Sequence, residues 1–151
     1  MKLRVYLNIY GKRYFVGLLE DTKDCRIFFE YAPDFIKTGI ELSPFKLPLR
    51  SGVFEDEDRA FGGLFGLFND SLPDGWGLML LDRKLRKTGL SLEQITPLQR
   101  LSMIGKHGMG ALEYEPETDE PLTETDSLVL DMLAKEIEKI CAGYDSVLLL
   151  R

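Results

Sequence analysis

Apolar and polar positions alternate from the first residues of the chain, where Leu3, Val5, Leu7 and Ile9 interleave with Arg4, Tyr6 and Asn8. A period of two is the signature of a half-buried β-strand. Gly11 interrupts it, and Tyr14, Val16 and Leu18 resume it, so the first two segments predict a hairpin. Asp21-Thr22-Lys23-Asp24 reads as a second turn, and Cys25, Ile27, Phe29 and Tyr31 as a third alternating strand. The chain therefore opens as an antiparallel three-stranded meander.

From Ala32 to Ala60 the pattern loses its period and carries Pro33, Pro44 and Pro48. Leu47-Pro48-Leu49 is extended, because proline donates no hydrogen bond and pushes its predecessor out of the helical region. Loops and one short edge strand are expected here, with Glu55 to Asp58 as a solvated acidic turn or a helix start.

Helical spacing takes over at Phe61. Leu64, Phe65, Leu67 and Phe68 form a dense apolar turn or two, ended by Asn69-Asp70 and Pro73. A helix is expected from Gly75 to Thr88, capped by Asp74 and stopped by Gly89. It would turn Trp76, Met79 and Leu80 one way and Asp82, Arg83, Lys84, Arg86 and Lys87 the other. The next helix has a clear start: Thr96 as N-cap, Pro97 at the first helical position, and Gln99 where a capping box needs it. Leu98, Leu101 and Ile104 supply its buried stripe and Gly105 ends it. Ala111 to Glu115 reads as a strand with Leu112 and Tyr114 on one face. An acidic linker over 117–126 separates this α+β unit, residues 1–116, from a C-terminal helix over 127–142 and a final apolar strand over 146–150.

Composition narrows the class of protein. Hydrophobic residues make up 44% and charged residues 29% of 151, an ordinary globular balance. A net charge of -6 repels phosphate backbones, so Arg83, Lys84, Arg86 and Lys87 read as a solvated helix face, not a nucleic-acid site. No apolar run approaches the roughly 20 residues that span a bilayer. Cys25 and Cys141, each read in an apolar setting, suggest a reducing cytoplasm more than a disulfide scaffold.

Candidate chemistry is sparse. His107 is the one histidine and lacks an activated nucleophile nearby, since Ser102 sits inside a helix. One histidine and two distant cysteines cannot make a tetrahedral metal site, although carboxylates are plentiful enough to leave an oxygen-only Mg²⁺ site open. Phosphate loops run strand, loop, helix. Gly105-Lys106-His107-Gly108-Met109-Gly110 runs helix, loop, strand, and reads as a tight return. Asp70 and Asp74 flank Ser71-Leu72-Pro73 as caps and turn formers, not as an acid–base pair.

Two of these stretches resemble a known family. Phe68-Asn69-Asp70-Ser71-Leu72-Pro73-Asp74-Gly75 is similar to the F-x-x-L-L-P-[DE] signature in the amino-terminal region of HipA toxin kinases. Leu98 to Gly105, followed by Gly110-Ala111-Leu112, is similar to that family's LL-x-x-x-G-x-D-x-x-G-A-[LV] stretch. Val16-Gly17-Leu18-Leu19, Phe29-Glu30-Tyr31-Ala32-Pro33 and Leu42-Ser43…Leu47-Pro48-Leu49 follow the family's order, so the resemblance spans Val16 to Pro116. Ser71 stands where the family has leucine, and His107 where it often has aspartate.

The resemblance implies a small antiparallel sheet or partly closed barrel with helices inserted before its last strand. It also implies the non-catalytic module of a serine/threonine kinase toxin, packed on a kinase core and helping to hold a HipB-like helix-turn-helix antitoxin in the cytoplasm. DNA would then be met only through the antitoxin. Catalytic, metal and cofactor residues are expected to be absent from this chain, with ATP and Mg²⁺ confined to the kinase core. Phe68, Leu72, Pro73, Asp74 and Trp76 are the candidate partner-binding residues, an aromatic and proline cluster of the sort that anchors interfaces. Two other readings stand beside this one. The chain could be the complete partner or antitoxin subunit of a split system, restraining a separately encoded kinase, or an interaction module unrelated to kinases.

Overall fold

The computed structural model describes residues 1–72, 79, 82, 83, 85–87, 89, 91–106, 108, 110–117 and 135. Its centre is an open five-stranded antiparallel sheet in the order β4-β3-β2-β1-β5. The strands are β1 (Lys2–Ile9), β2 (Lys12–Asp21), β3 (Ile27–Tyr31), β4 (Val53–Glu55) and β5 (Leu112–Pro116). Helices α1 (Pro33–Thr38), α2 (Gly66–Asn69) and α3 (Pro97–Ile104) accompany it, the last two falling between β4 and β5. This is the expected α+β architecture, with helices inserted before the last described strand.

The first hairpin turns at Tyr10 and Gly11, both at positive φ (50° and 77°), the backbone of a type I′ turn that matches strand twist. The expected alternation holds through β1, where Leu3, Val5 and Leu7 are buried. In β2 it holds only to Val16. The register passes from Tyr6↔Phe15 to Val5↔Gly17, so Val16 is an extra residue and the strand bulges. Leu19, not Leu18, is therefore fully buried, and Phe15 and Leu18 share the outer face. The third strand also starts later than its pattern suggests. Cys25 lies in the Thr22–Arg26 turn at φ 60° and is exposed, which corrects the apolar setting read for its thiol. Cys141 lies outside the described residues.

The sequence pattern does not announce α1. Pro33 occupies its first turn and Gly39, at φ 70°, closes it by donating its N–H to Ile36. It exists to bury Phe35, whose ring stacks on Tyr31 at 5.9 Å. The anticipated short edge strand is β4. α2 is a single turn, while α3 carries the full capping box of Thr96 and Gln99. Of the helix expected over 75–88, Met79, Asp82, Arg83, Leu85, Arg86 and Lys87 are described and helical, and Met79, expected on the apolar face, is exposed. Leu85 is buried, and Arg86 pairs with Asp82 one turn away at 2.7 Å. Arg83, Arg86 and Lys87 are exposed, as a solvated face requires. Lys84 lies outside the described residues, as does nearly all of 117–151, including the expected linker, helix and final strand, with Glu117 and Lys135 the exceptions.

The core lies on one face of the sheet and is aromatic. Phe29 meets Phe68 at 5.1 Å, Phe65 at 6.5 Å and Tyr31 at 4.8 Å, and Phe68 meets Tyr114 at 6.3 Å. Such tilted and edge-on pairs add to the hydrophobic gain of burying the rings. On the opposite face, Tyr6 and Phe15 pair at 5.5 Å beneath Arg13, whose guanidinium lies 3.7 Å from the Tyr6 centroid. Arg13 also bonds Glu113 at 2.8 Å and Glu115 at 2.5 Å. The Asn8 amide, together with Arg13, holds the Glu113 carboxyl below its usual range. Among the described residues β5 is an outer strand, and on its side away from β1 Tyr114 gives its N–H to Gly105 while Pro116 has none to give.

The Tyr31 hydroxyl donates to the Leu47 carbonyl at 2.7 Å, and burial, with a smaller contribution from Glu41, pushes its pKa up to about 12. The folded chain therefore holds this proton more tightly than the unfolded chain, whose tyrosine titrates near pH 10. The associated stability is fully present below pH 10 and is lost as pH rises through 12. Thermal melts between pH 9 and pH 12 should fall more steeply for the native chain than for Tyr31→Phe. Tyr114, raised in the same direction by burial, contributes equally to both curves. Parallel curves would show that the Tyr31 proton has no such linkage.

Candidate docking surface

The two sequence stretches that carry the family resemblance meet in space. α2 delivers the chain to Asp70, whose N–H returns to Gly66, and then to Ser71 and Leu72, which donate to Phe68 and Asn69. From the other side, α3 ends at Gly105 with φ 55°, and its carbonyl accepts from Tyr114 in β5. The Ser71 and Tyr114 hydroxyls lie 2.8 Å apart, with both side chains buried. Burial keeps the Tyr114 phenol protonated at all ordinary pH, so one of the two hydroxyls always has a hydrogen to donate. A buried hydroxyl left without a partner would cost about 1–3 kcal/mol, so each of these depends on the other.

Gly108 closes the junction. A Cβ on it would sit 2.8 Å from the Ile104 side chain and 3.1 Å from the Ser71 carbonyl, so only hydrogen fits. This contact explains Gly108, which lets the α3–β5 connection press against the α2 exit, while Gly105 and Gly110 take positive φ (55° and 103°). The Gly105 carbonyl is engaged by Tyr114, and Gly108 is packed against Ile104 and Ser71. Among the described residues, no three His, Cys, Asp or Glu side chains stand together as a metal site.

The structure divides the five candidate docking residues. Phe68 is fully buried and Leu72 is 7% exposed, and both pack in the core cluster. Neither offers a side chain to a partner in this conformation; each anchors the start of the segment that follows. Pro73, Asp74 and Trp76 lie outside the described residues, as does His107. Asp70, described as the α2 C-cap, has its N–H in a turn, the role expected of it. Sequence reasoning misses the Ser71–Tyr114 pair. The two residues are 43 positions apart, and the departure from leucine at Ser71 is the sole signal in the sequence.

Comparison with known families gives a match. A model described as the HipA N-terminal domain fits residues 7–115, a span that runs from within β1 to within β5 and takes in α1, α2 and α3. No curated protein matches the chain.

Proposed function

This chain belongs to the HipA N-terminal domain family, and on that footing we propose that it is the non-catalytic docking module of a HipA-like serine/threonine kinase toxin in a type II toxin–antitoxin system. It packs on the kinase core and contributes to holding a helix-turn-helix antitoxin, while phosphoryl transfer, with its ATP and Mg²⁺, belongs to the core. The observation that carries this reading is the family match across residues 7–115. The junction around Ser71 supports it, because recognition residues act best when a rigid scaffold fixes the chain that leads into them. Phe68, Leu72 and the Ser71–Tyr114 bond fix where the chain enters Pro73, Asp74 and Trp76. In this division of labour Phe68 and Leu72 position the segment, and Pro73, Asp74 and Trp76 meet the partner.

Tryptophan is over-represented among residues whose truncation costs an interface about 2 kcal/mol or more, which is about 30-fold in affinity. Trp76→Ala should therefore weaken binding to purified kinase core, or to antitoxin, by about that factor, measured by calorimetry on a variant with unchanged circular dichroism. Unchanged affinity for both partners would remove Trp76 from the interface. ATP turnover by the purified chain, abolished by a point substitution within it, would refute the placement of catalysis elsewhere.

A further inference from the structure

The chain passes into Pro73 through Ser71 and Leu72, and few of the contacts at this exit have a direction. The Ser71 and Leu72 N–H groups donate to Phe68 and Asn69, so both bonds move with α2. Phe68 and Leu72 pack in the core, but apolar contact is non-directional and tolerates sliding. Gly108 lies against the Ser71 carbonyl, which resists approach without resisting withdrawal. The bond between the Ser71 and Tyr114 hydroxyls is different. At 2.8 Å it sets both a distance and an angle, and it joins residues 43 positions apart.

Tyr114 is a firm post for this bond. It sits within β5 opposite Val5 of β1, and on its other side its N–H reaches the Gly105 carbonyl at 3.0 Å. Its ring meets Phe68 at 6.3 Å. Tyr114 is 1% exposed and Ser71 2%, so neither side chain touches a partner in this fold. What the pair does is fix the point at which Pro73, two residues beyond Ser71, begins. A segment held at its root gives up less conformational freedom on binding than one whose root can move.

We propose that Tyr114 is a positioning residue for docking: through Ser71, its hydroxyl holds the root of the Pro73–Trp76 segment in the geometry that the kinase core binds. This rests on the reading that the segment meets that core. It adds a dependence of affinity on a β5 residue that makes no contact with the partner.

The native chain, Ser71→Ala, Tyr114→Phe and the double variant Ser71→Ala/Tyr114→Phe, each titrated into purified kinase core, separate positioning from stability. Either single change leaves one buried hydroxyl without its partner and should lower the melting temperature. The double change leaves neither, so its melting temperature should recover toward the native value. Affinity should not recover. All three variants lack the tie, and each, measured where it is folded, should bind about fivefold more weakly than the native chain. Trp76 is the one tryptophan of the chain and gives a reading without the partner. Its fluorescence anisotropy should be lower in the free double variant than in the free native chain. Tyr114→Phe keeps the ring against Phe68, so it carries the comparison if Ser71→Ala does not fold. Affinity of the double variant, or of Tyr114→Phe, within about twofold of native would show that the pair serves the core alone, and would leave the docking function standing. Absence of binding by the native chain would overturn the docking function and the positioning role with it.

Discussion

Replacing Gly17 by alanine should destabilise the fold by about 3 kcal/mol or more, the upper end of what overpacking a filled site costs. A Cβ at this position would stand 2.1 Å from the Glu30 carbonyl oxygen and 3.0 Å from the Tyr31 Cα. Those are backbone atoms of the neighbouring strand, so no side-chain rotation relieves the clash. Two strands paired over Gly17↔Tyr31 to Asp21↔Ile27 would have to separate by about 1 Å, which is enough to weaken ladder bonds on both sides of the contact. The same stretch holds the bulge, and the Val16 carbonyl there accepts from Ala32 at 2.8 Å, the N-cap of α1. Strand separation would therefore reach Phe35 and the aromatic core beneath it. For a chain of this size the melting temperature should fall by about 10 °C. A Gly17→Ala protein that melts within about 2 °C of the native chain would show that β2 and β3 can slide apart at little cost.

The residues around Gly17 explain what the sequence could and could not reveal. β1 is legible because one of its faces is wet and the other dry, so polarity reports direction at every step. Val16-Gly17-Leu18-Leu19 offers no such contrast, and nothing in consecutive non-polar residues says that the phase slips by one. Cys25 fits the alternation of β3 and yet sits in a turn, since its positive φ is a backbone property that residue polarity does not encode. α3 is legible for the opposite reason: its start depends on local chemistry among Thr96, Pro97 and Gln99, which lie within one turn of each other. α1 uses the same kind of local signals, Pro33 and Gly39, but at six residues it is too short to show a period. Resemblance alone points to the segment proposed for docking, while the burial of Phe68 within it requires the tertiary contacts with Phe29 and Tyr114.

Phe68→Ala should cost about 3–5 kcal/mol, the range for emptying a phenylalanine site in a packed core. The ring is fully buried and meets Phe29 at 5.1 Å, Phe65 at 5.9 Å and Tyr114 at 6.3 Å, so three aromatic neighbours lose a partner at once. Collapse into the gap is restricted, since Phe29 belongs to the middle of β3 and Tyr114 is held by Ser71 and by its own N–H. The outcome also separates two roles for this residue. A side chain that fills the core affects partner binding only by emptying the folded population. The denaturant midpoint of Phe68→Ala should therefore drop sharply with an unchanged slope. Affinity for the kinase core, measured where the variant is still folded, should change much less than it does for Trp76→Ala. A Phe68→Ala protein with native stability and lost affinity would place this ring at the interface after all, and the packing of α2 against β3 and β5 would then have to open on binding.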